Sequence, residues 1–116
     1  MLDAGGQVQG KRLWREFAPE WGYPDGMTVD SEDALWIAHW EAGMVTRWHG
    51  DGQLLAKIVI PATRPTSVAF GGMDWRSLFI TSARLGQAGQ GGHSEGGLFV
   101  WRGAVAGLPA AVASLP

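Results

Sequence analysis

Carboxylates, imidazoles and guanidinium groups are what this sequence offers for binding a metal or moving a proton, and they are sparse. Lys, Arg, Asp and Glu make up 17% of its 116 residues. Asp25 stands out, in Pro24-Asp25-Gly26. A carboxylate so placed can ligate a hard cation such as Ca²⁺ or Mg²⁺, or Zn²⁺, or act as general base toward a water. The same tripeptide is an ordinary turn sequence, and on its own it favours that reading. The three histidines form no His-x-His pair and no His-Glu-x-x-His motif. His39 closes an apolar run and reads first as a packed strand-end residue. His49 adjoins a hairpin turn and should be solvated, and His93 falls in a Gly-rich loop. Asp30, Glu32 and Asp33 are crowded enough to suggest a calcium loop, but the EF-hand pattern is missing. A solvated hairpin turn is the better reading. Arg84 could meet an anionic substrate, and reads first as the partner of a nearby acid. There is no cysteine, which removes thiol and disulfide chemistry.

The elements that must position these groups are short apolar segments punctuated by Gly, Pro and Asp, with weak helical periodicity. The pattern predicts strands over residues 9–17, 26–30, 35–40, 44–48, 54–60, 67–70, 78–82 and 98–102. The Asp51-Gly52 pair makes a hairpin turn between the fourth and the fifth. Residues 86–97 form a polar, Gly-rich loop expected to be mobile. In Leu35-Trp36-Ile37-Ala38 both faces of the strand are apolar, and Leu78-Phe79-Ile80 behaves alike. Such strands belong to a sheet covered on both sides. There is also a repeat. The segment beginning Pro24-Asp25-Gly26 and reaching Leu35-Trp36-Ile37 parallels Pro65-Thr66-Ser67 reaching Leu78-Phe79-Ile80, with offsets of 41 residues at the prolines and 43 at the leucines. A period near 40 with about four strands per unit is that of a β-propeller blade. The expectation is an all-β chain, 1–116 as a single partial propeller domain, with blade-like repeats at 24–60 and 65–102. An ordinary antiparallel sandwich is the competing architecture.

Composition narrows the partners. A net charge of −2 gives no basic footprint for nucleic acid. No apolar run approaches the roughly 18 residues of a membrane span, and the first residues lack the charged-then-apolar pattern of a signal peptide. With no address visible, the cytoplasm is the expected location.

Several motifs now resemble, in order, those of one family. Pro24-Asp25-Gly26-Met27-Thr28-Val29-Asp30, Leu35-Trp36-Ile37-Ala38-His39-Trp40 and Gly43-Met44-Val45-Thr46-Arg47 are followed by Asp51-Gly52. Then come Pro65-Thr66-Ser67-Val68-Ala69-Phe70-Gly71-Gly72, Leu78-Phe79-Ile80-Thr81-Ser82-Ala83-Arg84 and Gly96-Gly97-Leu98-Phe99. Together they resemble the C-terminal part of the SMP-30/gluconolactonase/regucalcin family. Asp33-Ala34 departs from the family's glycine in that turn, and His49-Gly50 departs before the hairpin. The resemblance implies a six-bladed β-propeller: about two four-stranded antiparallel blades here, plus an outer strand of the blade before. It implies hydrolysis of sugar lactones or related esters with one divalent cation (Ca²⁺, Zn²⁺ or Mg²⁺) in the central channel, which would polarise the lactone carbonyl. Of the family's Glu, Asn and Asp ligands, only the Asp carries over, as Asp25, which is also a candidate general base. The other ligands belong to an N-terminal half that this sequence does not contain.

Propeller geometry would return residue 39 to the rim where residue 25 begins, and the next repeat would do the same. His39, Trp40, Thr66 and Arg84 are therefore candidates to surround one pocket mouth with Asp25. Two alternatives to a hydrolase fragment remain open. One is a non-catalytic propeller fragment that assembles with a missing half or with itself. The other is a truncated product without function.

Overall fold

A computed structural model describes residues 2–84 and 94–114. Among the described residues, seven strands form two antiparallel sheets. The first holds β1 (Tyr23–Val29), β2 (Leu35–Trp40), β3 (Met44–Trp48) and β4 (Leu54–Val59) in sequence order. The second holds β5 (Pro65–Gly71), β6 (Ser77–Ser82) and β7 (Leu98–Arg102), also in sequence order. Among the described residues the second sheet has three strands where four were expected. Past β7 the backbone turns away, with the Gly103 amide bonded to the Arg76 carbonyl and the Gly107 amide to the Trp75 carbonyl.

Both sheets begin with a bulged strand. Pairing of β1 with β2 shifts between Pro24 and Met27, and pairing of β5 with β6 shifts between Pro65 and Ser67. Proline has no amide to give the ladder, which suits it to a strand start or a bulge. The two bulged strands lie against each other. A Cβ on Gly26 would fall 2.3 Å from Ser67 Oγ and 2.6 Å from Ser67 Cα, so only glycine allows this approach.

The core lies between the sheets. Trp36, Ala38 and Val45 of the first, with Ile60 and Ala62 of the connector, pack on Val68, Leu78 and Ile80 of the second. Trp36 meets Phe70 edge-on at 5.6 Å and Trp101 at 5.5 Å. The apolar alternation of β6 therefore points one side of the second sheet inward. Its other side leaves Leu98 and Val100 64% and 58% exposed.

The other face of the first sheet is covered by residues 13–21. No strand forms over 9–17; the segment is irregular and ends in a short 3₁₀ turn, Pro19–Trp21. No strand lies beside it to pair with among the described residues. It docks instead through its rings, with Phe17 5.1 Å from the His39 ring and 5.6 Å from that of Trp48. Trp14 and Trp21 also meet Trp48, and the Arg15 guanidinium lies 4.3 Å from its ring centre.

The β1–β2 turn is solvated at Ser31, Glu32 and Asp33, as its composition suggests, but not at Asp30. Asp30 is fully buried. Its Oδ1 accepts from the amides of Glu32 (2.8 Å) and Ala34 (3.1 Å), and its Oδ2 from Trp36 Nε1 and Arg47 Nε, both at 2.8 Å. Asp33 takes the left-handed conformation, φ 61°, which Asp accepts at less cost than most residues. The C-terminal segment ties the second sheet to this turn, through an Asp30–Gly107 bridge and a bond from the Ser31 amide to the Ala106 carbonyl. The loop expected over 86–97 lies outside the described residues except for 94–97, a turn closed by the Gly97 amide on the Ser94 carbonyl. His93 is also outside them.

Candidate functional site

The antiparallel ladders bring the start of β1, the end of β2, the start of β5 and the end of β6 to one end of the two sheets. Tyr23 pairs with Trp40 and Pro65 with Ser82. The connector between the sheets is fastened there by Gly43 N to Thr63 O (3.0 Å) and Ala83 N to Arg64 O (2.9 Å). Asp25, Trp40, Thr66 and Arg84 lie at this end of the sheets, next to those paired positions.

Asp25 sits on the β1 bulge, exposed, with no hydrogen bond or ion pair among the described residues. Thr66 occupies the corresponding bulge of β5, and its hydroxyl shares a 2.7 Å hydrogen bond with that of Thr81. Half-buried Trp40 carries the Arg64 guanidinium over its ring at 5.5 Å, and Arg64 Nε bonds Glu41 Oε1 at 2.5 Å. Arg84 Nε donates to the main-chain carbonyl of Glu95 at 3.2 Å, not to that residue's carboxylate.

His39 is placed differently. Its backbone reaches the rim opposite Pro24, but its side chain is fully buried beneath Phe17 and Trp21. Nδ1 lies 2.9 Å from the Trp21 carbonyl and Nε2 2.6 Å from Thr46 Oγ1, which also accepts from Trp48 Nε1. A carbonyl can only accept, so Nδ1 carries the proton and Nε2 accepts from Thr46. Burial lowers the His39 pKa, the Trp21 contact opposes that, and Lys57 adds to the lowering. The ring is a neutral structural bridge, out of reach of a ligand at the rim.

Two residues at this end escaped the sequence reading. Arg64 falls between the predicted strands 54–60 and 67–70, in a stretch that carries no motif of its own. Glu95 falls in a polar loop, where an acid suggests solvent, yet it is 5% exposed. Its Oε1 accepts from the Thr63 amide (2.8 Å) and hydroxyl (2.9 Å). The hint in sequence was its place just before Gly96-Gly97-Leu98, where the chain re-enters a strand.

The described residues hold no group of three or more His, Asp or Glu side chains placed for a metal. Asp25 offers a hard oxygen donor, but Ca²⁺ takes six to eight oxygens and Zn²⁺ about four ligands. One carboxylate does not make the site, so the remaining donors would have to come from elsewhere.

A family model described as the SMP-30/gluconolactonase/LRE-like region matches residues 1–84. The chain belongs to this family. It is 43% identical over 94 residues to pentonolactonase XacC of Haloferax volcanii, covering 78% of this chain and 32% of that protein. It is 48% identical over 84 residues to 6-deoxy-6-sulfogluconolactonase of Pseudomonas putida, covering 72% of this chain and 29% of that protein. The fold superposes on the crystal structure of a calcium-binding protein, regucalcin, from Agrobacterium tumefaciens. The TM-score is 0.81 at 33% identity, over 92% of this chain and 38% of the other. A luciferin-regenerating enzyme superposes with a TM-score of 0.77 at 30% identity, with the same coverage. The chain thus spans about a third of the length of these relatives, and its two sheets are a partial β-propeller. No helix of the described residues is long and apolar enough to cross a membrane.

Proposed function

We propose that this chain is the C-terminal portion of a metal-dependent sugar-lactone hydrolase, with Asp25 contributing to a cation site that it shares with residues outside the chain. The observation carrying this reading is Asp25 itself: an exposed carboxylate, free of protein partners among the described residues, on a bulge at the rim where Trp40, Thr66 and Arg84 also gather. The family supports it, since two relatives are named as lactonases. A bound Ca²⁺, Zn²⁺ or Mg²⁺ would polarise the lactone carbonyl. Asp25 would accept a proton from the water as its oxygen bonds the carbonyl carbon, and would return that proton to the ring oxygen as the acyl C–O bond breaks, giving the hydroxy acid. Trp40, Thr66 and Arg84 would line the mouth and orient the hydroxylated substrate. The reading places the protein in the cytoplasm and makes the chain incomplete for catalysis alone.

A second reading is self-association without catalysis. It is favoured by the exposed Leu98 and Val100 on the open face of the second sheet, since such a face invites a partner. Size-exclusion chromatography with light scattering, with and without Ca²⁺ or Zn²⁺, separates the readings when lactone hydrolysis is assayed on each peak. The proposal expects an inactive chain by itself. It expects metal-dependent hydrolysis once an N-terminal half from a family member is supplied, and a loss of at least about 100-fold on Asp25→Asn. Activity unchanged by Asp25→Asn would refute the role of Asp25. A defined trimer without hydrolysis would favour the second reading, and a chain that never folds would leave a product without function.

A further inference from the structure

Strands β1, β4, β5 and β7 border the two sheets, and all but β7 are guarded. β1 and β5 each open on a proline and a bulge, and they lie against each other at Gly26 and Ser67. β4 carries Lys57, and its pairing with β3 shifts between Arg47 and Trp48. Proline, lysine and bulges are what keep an edge from pairing with another chain. β7 has none of them. It reads Leu98-Phe99-Val100-Trp101-Arg102, aliphatic and aromatic with a single charge at its end. It pairs with β6 in unbroken register. Its other edge takes no backbone hydrogen bond among the described residues.

The sequence of this edge suits it to its own copy. Residues directly opposite in an antiparallel pair share a face of the sheet. Phe99 and Trp101 turn toward the core, whereas Leu98 and Val100 lie on the open face, 64% and 58% exposed. Two β7 strands run antiparallel about a two-fold axis at Val100 keep every residue of the strand paired. Val100 then faces its own copy, Leu98 faces Arg102, Phe99 faces Trp101, and Gly97 faces Gly103 at the ends. Aromatic rings meet across the strands on the core side, and the aliphatic side chains of both copies meet on the open side. No like charges oppose each other, since Arg102 stands across from Leu98 and is already paired with Asp74. A slip of one residue would set the open face of one copy beside the core side of the other.

We infer that this chain pairs with a second copy of itself through the β7 edge, forming a two-fold dimer in which the two three-stranded sheets become one continuous sheet. Such an isologous contact closes on itself, unlike a ring built by stacking sheets face to face. The edge is short, so the dimer is weak and concentration-dependent. Asp25 lies on β1, in the other sheet, so the inference stands apart from the lactonase reading.

The test is light scattering behind size-exclusion chromatography on the full chain over a range of concentrations, together with cross-linking of Val100→Cys. Facing Cα atoms in an antiparallel pair stand about 4.5–5.5 Å apart, within the span a disulfide bridges, and the sequence has no other cysteine. The mass should rise to that of two chains. On oxidation by glutathione disulfide, Val100→Cys should give a covalent dimer at least about tenfold faster than Met73→Cys, although Met73 is fully exposed in the β5–β6 turn. Val100→Lys and Val100→Glu should each remain a single chain, because each sets like charges face to face, and an equimolar mixture of the two should dimerise. Asp25→Asn should dimerise like the parent. The inference is overturned by a single-chain mass at every concentration, by a trimer, by equal cross-linking of the two cysteine variants, or by dimers indifferent to charge at position 100. It is also overturned if the chain associates only with an added N-terminal half from a family member, which would give the edge to that half.

Discussion

Replacing Asp30 by asparagine should be the most damaging near-isosteric change outside the hydrophobic core. The carboxylate accepts four hydrogen bonds while fully buried: two from the amides of Glu32 and Ala34, one from Trp36 Nε1 and one from Arg47 Nε. An asparagine oxygen can keep the two amides. Its NH₂ then faces the Trp36 and Arg47 donors, and neither bond survives. Two bonds to a charged acceptor at about 1.5–3 kcal/mol each agree with the roughly 3–5 kcal/mol lost when a buried ion pair is broken from one side. Glu32 remains 2.8 Å from Arg47 Nη2, but it is exposed, and such a pair offsets less than about 1 kcal/mol. Against a total stability of about 5–15 kcal/mol, the net loss should lower the melting midpoint by roughly 10–20 °C. Urea unfolding followed by tryptophan fluorescence reads it directly, because Trp36 is itself a partner. Acid gives an independent check. Burial alone would raise the Asp30 pKa, but the bonds from Arg47, Trp36 and the two amides outweigh it and hold the pKa below its ordinary 3.8. The stabilisation is then fully present above about pH 4 and disappears as pH falls through the folded-state value. The parent chain should lose its advantage over Asp30→Asn only in that acid range. A loss below about 1 kcal/mol at neutral pH would refute the account of this turn.

Gly26→Ala puts a methyl within 2.6 Å of the Ser67 backbone. It should destabilise by about 1–3 kcal/mol as the bulged strands separate; unchanged urea unfolding would show that they do not pack as described. The lowered pKa of His39 means that the unfolded chain takes up a proton below about pH 6.5 while the folded chain resists it. Stability should therefore fall with acidification by up to about 1.4 kcal/mol per pH unit between that value and the folded-state pKa. His39→Gln should flatten this slope whatever it costs at pH 8; two parallel profiles would place His39 in water.

The strands were legible where side chains alternate between two packed faces. β2, β3 and β7 end where the pattern predicts. β1 and β5 begin earlier than predicted, at Tyr23 and Pro65, because each strand opens on a proline-led bulge inside the ladder, and Pro-Asp-Gly by itself reads as a turn. The segment over 9–17 misled because its aromatics mark ring packing on His39 and Trp48, which lacks the period of a strand. Counting residues along antiparallel strands puts the backbone of Asp25, Trp40, Thr66 and Arg84 at one end of the sheets, which is where the ladders hold it. The side chain of His39 could not be placed that way, since its burial depends on Phe17 and Trp21 folding over it. Asp30 was hidden for a similar reason: its partner Arg47 lies two strands away, and an acid-rich turn looks solvated until that partner is found.

The bridge between Asp30 and Gly107 joins residues 77 positions apart. A chain emerging from the ribosome can form all four strands of the first sheet well before residue 107 exists. The acid-rich turn would therefore fold first against its own network, and the seam to the second sheet would close only after residue 107 has been made. Loop-closure entropy grows slowly with length, so this late latch costs little at equilibrium. It does set an order of events in which the open apolar face of the second sheet, with Leu98 and Val100, is produced before the latch can form, and is the surface in need of shelter meanwhile.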